Sequence, residues 1–328
     1  MHVMKIVLAP MEGLADYRLR QLLTAVGEYD WCVTEFIRVS GALLPSRVFH
    51  RWCPELLHGA RTLSGTPVHV QLLGSDPASM AANAQRAVEL GAPAIDINFG
   101  CPAKTVNRHG GGAVLLDCPE TVYQVVQAVR QALPATIPVS AKMRLGNLDG
   151  SRALDNAQAI AAAGASWLTV HGRTRAQGYR PPAYWDQIGH ISAALSLPVI
   201  ANGEIWSAAD ANDCLAQSGC QALMLGRGAV SDPFLPQRVR GQPVADGWPA
   251  LQALLLHYLA QLHGSGSNRQ LAGRIKQWLN YLRRDSEPAA ALFAALRQLD
   301  CPQAMRDRIL AMEVIPDAAT RPEFIGSM

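Results

Sequence analysis

Val139-Ser140-Ala141-Lys142-Met143, then an Ala-rich amphipathic stretch over Ala153–Ala163 closed by Gly164, then Trp167-Leu168-Thr169-Val170-His171: this passage decides the fold. Two short apolar runs flank a helical pattern. Gly164 stands just past that pattern, where a helix end favours a residue tolerant of positive φ. Gly91 holds the same place after Ala78–Leu90. Outward from this unit the alternation repeats. Further apolar runs lie at Met4–Ala9, Trp31–Ile37, Val68–Leu73, Ala94–Asn98, Val199–Asn202 and Ala222–Gly226, which with the first two makes eight. Helical patterns over Pro119–Leu133 and Ala208–Gln217 lie between them. Runs that are apolar on both faces imply a parallel sheet covered by helices on both sides. Eight such units in about 240 residues predict an α/β fold, a TIM (β/α)8 barrel, with an open doubly wound sheet as the alternative.

After Pro243 the strand signals stop. Leu251–Leu262, Leu271–Arg284, Ala289–Leu299 and Ala304–Met312 read as helices, and Gly264-Ser265-Gly266-Ser267 as a loop between two of them. The expected organisation is a barrel over 1–243 and a C-terminal all-helical domain over 244–328.

Composition narrows the class. The 328 residues are 49% hydrophobic and 17% charged, enough apolar material for a packed core. No apolar run reaches the roughly 18 residues of a membrane span, and the N-terminus lacks a signal-peptide layout. Seven cysteines, none in a C-x-x-C pair, give little support to a metal site or a disulfide scaffold. A cytoplasmic protein with no membrane and no metal is expected. The net charge of +3 announces no nucleic-acid partner. Its distribution says more, because Arg269, Arg274, Lys276, Arg283 and Arg284 fall together with no acidic residue among them. Such a run is as often a solvated helix face as a binding surface.

A barrel of this kind carries its chemistry at the C-terminal ends of its strands. Those ends read Pro10-Met11-Glu12-Gly13, Glu35, Gln71, Asn98 with Cys101, Lys142 with Arg144, His171, Asn202-Gly203-Glu204, and Gly226-Arg227. The last two supply glycines that let backbone N–H groups approach an anion, and an arginine to pair with it; tight turn packing is the bland reading. Gln71 offers a donor and an acceptor, which suits the pyrimidine edge of a flavin. Lys142, costly inside an apolar run, suits either an anionic reduced flavin or a Schiff-base nucleophile. His171 alone reads as a core histidine; beside an anion cup it reads as a ligand. Cys101 precedes the loop Lys104–Gly112 with its triple glycine. An ordinary thiol near pKa 8.5 is a proton donor at neutral pH, whereas Lys104 and Arg108 nearby favour a nucleophile, so both roles stay open.

Ala9–Gly13, Val70–Gly74, Asn98–Asn107, Ala141–Gly146, Val170–Thr174, Ala201–Ile205 and Gly226–Gly228 together resemble the tRNA-dihydrouridine synthases, in order through the whole barrel. Arg274–Arg283 resembles the bacterial branch that modifies uridine 16 in the D-loop. Arg108-His109 departs from the small residues expected in the active-site loop. The resemblance implies FMN as cofactor, NADPH as reductant and tRNA as partner. It implies that Pro10, Met11, Glu12 and Gln71 contact the isoalloxazine, with Lys142 and His171 at its polar edge. Asn202, Gly203, Glu204, Gly226 and Arg227 hold the ribityl phosphate. Reduced FMN passes hydride to C6 of uracil while Cys101 protonates C5. Arg38, Asn98 and Tyr179 join the tRNA contacts, with Arg173, Arg175 and Arg180 adding charge. On the helical domain Leu271, Ile275, Trp278, Leu279 and Leu282 form an apolar face. Arg274, Gln277, Tyr281 and Arg284 form a polar one, joined by Lys276, suited to phosphate contact and base stacking. A monomer is expected. The competing readings are a small-molecule FMN oxidoreductase of the dihydroorotate or dihydropyrimidine type, a Schiff-base aldolase using Lys142, and a non-catalytic RNA-binding protein.

Overall fold

The computed structural model describes residues 4–108, 110–244, 246–264 and 266–312; residues 1–3, His109, Ala245, Ser265 and the stretch 313–328 lie outside the described residues. By its internal contacts the chain divides into two compact units, Met1–Val244 and Ala245–Met328.

The first unit is a closed parallel barrel. Its strands are β1 (Lys5–Leu8), β2 (Trp31–Val33), β3 (Ile37–Arg38), β4 (Val68–Leu73), β5 (Ile95–Phe99), β6 (Val139–Arg144), β7 (Trp167–His171), β8 (Val199–Asn202) and β9 (Ala222–Leu225). β1 pairs with β9 on one side and β2 on the other, and β2 pairs with β4, which closes the ring. β3 pairs with β4 and continues the stave that β2 begins. The run Trp31–Ile37, expected as one strand, is therefore two. The physical reason is visible at Thr34, whose Oγ1 accepts the Gln71 backbone N–H at 3.0 Å where a ladder carbonyl would otherwise do so. Next to it the Glu35 carboxylate accepts the Gly13 N–H at 2.6 Å.

Inside the ring the two ends differ. At the N-terminal end Val7, Val33, Ile200 and Met224 pack with Trp31 and Trp167. The Trp31 ring lies 5.4 Å from His69 and 5.3 Å from Trp167, so aromatic rings plug this end. Burial pushes the His69 imidazole down to about 3, which keeps it neutral. Toward the C-terminal end the inward side chains become polar: Gln71, Asp96, Asn98, Ser140, Lys142 and Asn202.

The surrounding helices follow the expected patterns. Pro119–Ala132 buries Val122, Val125, Val126 and Val129, one face at helical spacing. Asp76 caps Pro77–Glu89 by accepting the Ser79 N–H at 2.8 Å. Ser207 and Asp210 form a capping box on Ala208–Ser218. In Tyr17–Val26 the Arg20 guanidinium is wholly buried. It donates to the Glu55 carboxylate at 3.0 Å and to the carbonyls of Ala15 and Trp52, both at 3.1 Å, tying three segments together.

The second unit consists, among the described residues, of the helices Trp248–Leu262, Asn268–Leu282, Glu287–Leu296 and Pro302–Leu310. Asn268–Leu282 opens on a Ser267–Gln270 capping box and buries Leu271, Ala272, Ile275, Trp278, Leu279 and Leu282. Trp278 packs edge-on against Tyr258 at 5.2 Å, so it belongs to the core.

Removing one partner of a buried ion pair strands the other charge in low dielectric, at a cost of about 3–5 kcal/mol. Glu55→Ala is therefore expected to destabilise the barrel by that amount in urea unfolding followed by tryptophan fluorescence. Glu89→Ala, which breaks the half-exposed Arg86–Glu89 pair, is expected to cost under about 1 kcal/mol. Equal effects would refute the role given to Arg20.

Candidate active site at the strand ends

The polar residues of the strand ends gather at one end of the barrel because all its strands are parallel. β5 and β6 run in register with Asp96 opposite Ser140 and Asn98 opposite Lys142. Residues two apart on a strand share a face. Asp96 and Asn98 accordingly point inward together, as do Ser140 and Lys142. Lys142 Nζ donates to Asn202 Oδ1 at 2.9 Å, and Asn202 Nδ2 donates to the Met224 carbonyl at 2.7 Å. Burial and the neighbouring Arg144 charge bring the Lys142 ammonium down to about 8, against the pull of Asp96. Gln71 is fully buried; its Nε2 donates to Asp96 Oδ2 at 2.6 Å and its Oε1 accepts from Asn98 Nδ2 at 2.8 Å.

Cys101 follows directly. Its backbone N–H and that of Gly100 donate to Asn98 Oδ1 at 3.0 and 2.8 Å. Its carbonyl accepts from Asn107 Nδ2 at 2.9 Å and from the Ala113 N–H at 3.2 Å. The side chain sits among Phe36, Leu73 and Val106. Burial is the main force raising the thiol above its ordinary value, with Glu12 adding to it, and the Ala103 hydrogen bond, Arg144 and Arg38 opposing. A thiol held that way keeps its proton at neutral pH. Of the two roles left open by the sequence, the electrostatics favour the acid. Gly112 explains one glycine of the triplet: at φ +68° a Cβ there would stand 2.8 Å from the Cys101 carbonyl oxygen.

The ends of β8 and β9 form a cationic cup. Gly203, at φ +115°, lies so close to His171 that a Cβ would be 2.6 Å from the imidazole ring. Trp185 Nε1 donates to the Gly203 carbonyl at 2.8 Å. Glu204 takes hydrogen bonds from Arg173 and, at 2.9 Å, from Trp206 Nε1, and its carboxylate is 3.7 Å from Arg227. Burial raises its pKa, yet these hydrogen bonds and the two arginine charges hold it below the usual carboxylate range. The Arg227 guanidinium lies 4.5 Å from the Tyr179 ring and 5.2 Å from the Trp206 ring. His171 is pushed well below its ordinary value by burial first and then by Arg144, Lys142, Arg173 and Arg227, so it is neutral. A Cβ on Gly226 would touch only Ala9 and the Met11 sulfur, at 3.7 and 3.8 Å.

The structure thus brings Met11, Glu12, Arg38, Gln71, Asn98, Cys101, Lys142, His171, Tyr179 and the 202–204 and 226–227 loops to one end of the barrel. Pro10 is half-buried at the end of β1, and Glu12 is exposed. Arg274, Lys276 and Tyr281 belong to the helix Asn268–Leu282 of the second unit, where Lys276 pairs with Asp300 at 2.9 Å and Arg274 donates to Gln277 at 2.9 Å. One expectation needs correction. Arg173 is not a charge on an RNA-facing loop: it is fully buried, bonded to Glu204 and to the Pro182 carbonyl at 3.0 Å. The sequence reading also missed Asp96, Trp185 and Trp206. Asp96 had a signal, its spacing of two from Asn98 within a strand.

A closed parallel barrel with a buried thiol and an arginine-lined cup at its strand ends has the architecture of a barrel enzyme. The dihydrouridine synthase (Dus) family model matches residues 7–314. The chain belongs to the dihydrouridine synthase family. It is similar to the tRNA-dihydrouridine(16) synthase of Cupriavidus necator, 53% identical over 97% of this chain and 99% of that one. The protein of the same name from Escherichia coli K12 is 48% identical over 95% of this chain and 99% of that one. Among solved structures, a 2-naphthoyl-CoA reductase matches with TM-score 0.57 at 12% identity over 73% of this chain. The histamine dehydrogenase of Rhizobium sp. 4-9 matches with TM-score 0.55 at 14% identity over 72% of it. This chain spans 50% and 45% of those two chains, and the likeness shows the fold alone. Among the described residues no helix is long and apolar enough to cross a membrane, and no group of three or more His, Cys, Asp or Glu is placed to hold a metal ion.

The raised Cys101 thiol sets a test. Alkylation needs the thiolate, so its rate at Cys101 is expected to climb only at pH values above the ordinary thiol range near 8.5. Mass spectrometry of iodoacetamide-treated protein between pH 6 and 10 measures this; a midpoint near 7 would make Cys101 a nucleophile instead.

Proposed function

We propose that this chain reduces the C5–C6 double bond of uridine 16 in the D-loop of tRNA, with FMN as cofactor, NADPH as reductant and Cys101 as proton donor. The observation that carries the reading is a buried thiol, raised above its ordinary value, on a backbone that Asn98 holds at the same barrel end as a cup of cationic groups. The cup fits a phosphate: Arg173 Nη1 is buried with no hydrogen-bond partner among the described residues, and Gly203 leaves the space that a side chain would fill. Asn202, Gly203, Glu204, Gly226 and Arg227 would hold the phosphate end, with Arg173 behind them. Pro10, Met11, Glu12 and Gln71 would line the isoalloxazine, and Lys142 and His171 its polar edge. FMN, when bound and reduced by NADPH, supplies the hydride for C6 of the uracil.

The protein's own part is positioning and proton delivery. Cys101 gives its proton to C5 as negative charge develops there, and its raised pKa keeps that proton available at neutral pH. Asn98, with Nδ2 toward Gln71 and Oδ1 on the Cys101 loop, sits where it would meet the base. Uridine 16 must leave its stack to arrive. Arg38 and Tyr179, both exposed, would receive the flipped nucleotide and its neighbours. In this reading the unit over 1–243 is the FMN-binding catalytic domain and 244–328 the tRNA-binding domain, through Arg274, Lys276 and Tyr281. The relatives' names and their alignment over both units support tRNA as the substrate. A small-molecule FMN oxidoreductase leaves that full-length match unexplained.

Purified protein incubated with NADPH and tRNA lacking dihydrouridine is expected to place dihydrouridine at position 16, mapped by mass spectrometry of nuclease fragments. Cys101→Ala is expected to keep flavin and tRNA binding while losing most turnover. Product at another position would retain the chemistry and overturn the site choice; no product from a yellow, reducible protein would favour a small-molecule substrate.

Lys142 carries its charge below about 8 and loses it as pH rises through that value. Turnover is expected to fall across that limb, and Lys142→Met to be slow but flat there. A wild-type profile level to pH 9.5 would remove the need for the ammonium charge.

A further inference from the structure

We infer that Asp96, which reaches neither the thiol nor the strand-end cup, is the positioning residue that fixes the orientation of the Cys101 loop through a polarised chain of amides. The inference rests on the reading of Cys101 as the acid.

The chain has four links. Ser140 Oγ donates to Asp96 Oδ1 at 2.6 Å, and Gln71 Nε2 donates to Asp96 Oδ2 at 2.6 Å. Asn98 Nδ2 donates to Gln71 Oε1 at 2.8 Å. The backbone N–H groups of Gly100 and Cys101 donate to Asn98 Oδ1. Every side chain in it is at least nine-tenths buried. Water is thus a poor substitute for any missing partner, and each bond constrains the next.

The direction of the chain follows from what each group can do. An ionised carboxylate only accepts hydrogen bonds. Gln71 must therefore turn its NH2 toward Asp96, which turns its carbonyl toward Asn98. Asn98 must then present its NH2 to Gln71, which leaves its carbonyl for the Gly100 and Cys101 N–H groups. A reversed Gln71 would face oxygen to oxygen with Asp96. A reversed Asn98 would face its NH2 against the two N–H groups of the Cys101 loop. One buried negative charge selects a single state out of four. Burial raises the Asp96 carboxyl above its ordinary value; the hydrogen bonds from Gln71 and Ser140, and then the Lys142 charge on the neighbouring strand, oppose that rise and favour the ionised form.

The consequence is specific. An amide in place of the carboxylate can offer either an oxygen or an NH2, so it no longer selects the direction. Asp96→Asn keeps the volume and loses the choice. The strand-end cup stays in place, whereas Gln71 and, beyond it, the Cys101 loop gain a second, misdirected state. Misplacement of a reacting group by about 1 Å costs up to about a hundredfold in rate.

The test separates flavin binding from turnover of the reduced flavin. In D96N, flavin content is expected within twofold of wild type, because the strand-end cup does not depend on the amide chain. Reoxidation of the reduced flavin by tRNA is expected at least about tenfold slower, with the tRNA concentration dependence unchanged. Cys101 alkylation by iodoacetamide, resolved by mass spectrometry from the exposed Cys118 and Cys301, is expected to change by at least about threefold. Ser140→Ala removes one donor without altering the direction, and both rates should stay within threefold. The decisive variant is Q71E/D96N, which moves the carboxylate one link along. The carboxylate introduced on β4 would accept from the amide introduced on β5 and from Asn98. Asn98 then regains its original orientation, and Cys101 alkylation should return to within threefold of wild type.

Unchanged reoxidation and alkylation in D96N would overturn the proposal. So would a double variant no closer to wild type than D96N. If D96N does not fold, Q71E/D96N, which keeps one buried carboxylate, decides the matter on alkylation alone. A wild-type protein that forms no dihydrouridine would sink the proposed function, while the alkylation arm would still judge the role of Asp96.

Discussion

A buried polar group without a partner costs several kcal/mol, and this barrel places six polar side chains inside the C-terminal half of its ring. Everything at the site depends on how their demand for partners is met. The N-terminal half is filled by aliphatic and aromatic side chains, Trp31, His69 and Trp167 in mutual contact, and leaves Trp31 Nε1 and His69 Nδ1 without a hydrogen-bond partner among the described residues. The C-terminal half meets it with two chains of hydrogen bonds. One runs from Ser140 through Asp96, Gln71 and Asn98 to the Cys101 backbone. The other runs from Lys142 through Asn202 to the Met224 carbonyl. The first ends at the Cys101 backbone and the second beside the cationic cup, so satisfying the core and assembling the site are one problem.

Charge is distributed unevenly across this end of the barrel. Lys142, Arg144, Arg173 and Arg227 all act on His171, and Glu204 and Asp96 are the carboxylates that answer them. That excess of positive charge adds to burial in keeping the imidazole neutral. His171 is thereby left as a neutral ring packed against the Gly203 backbone. Cys101, only partly within reach of these cations, has its thiol set mainly by burial. Neutral thiol and cationic cup are thus compatible neighbours, because desolvation outweighs the arginines at the sulfur.

The eight apolar runs are legible because period and composition act locally, and each matches a barrel strand to within one or two residues at most ends. The exception, Trp31–Ile37, breaks where a side chain, Thr34, substitutes for a ladder carbonyl, and no apolar pattern records that exchange. Strand-end residues are legible because the parallel topology sends them all one way. Arg173 escapes a local reading because its burial depends on Glu204, 31 positions away and itself at φ +56°. Asp96 passes as an ordinary strand residue for a related reason: its meaning lies in Gln71 and Ser140 on the two neighbouring strands, β4 and β6. Long-range pairing, not local pattern, carries that information.

Arg144 shows how the loops that carry Cys101 and Tyr179 are joined. Its Nε donates to the Gly100 carbonyl at 2.8 Å, immediately before Cys101. Its Nη1 donates to the carbonyls of Thr174 and Gly178 at 3.1 and 3.0 Å, and its guanidinium lies 5.1 Å from the Tyr179 ring. One buried side chain therefore braces both the loop that carries the thiol and the loop that carries Tyr179. Tyr179 in turn lies between Arg144 and Arg227, the latter paired with Glu204 in the cup. The Tyr179 ring is thereby held from both sides by guanidinium groups, one anchored to the loop that carries Cys101 and the other to the cationic cup, so the two loops and the cup form one braced unit.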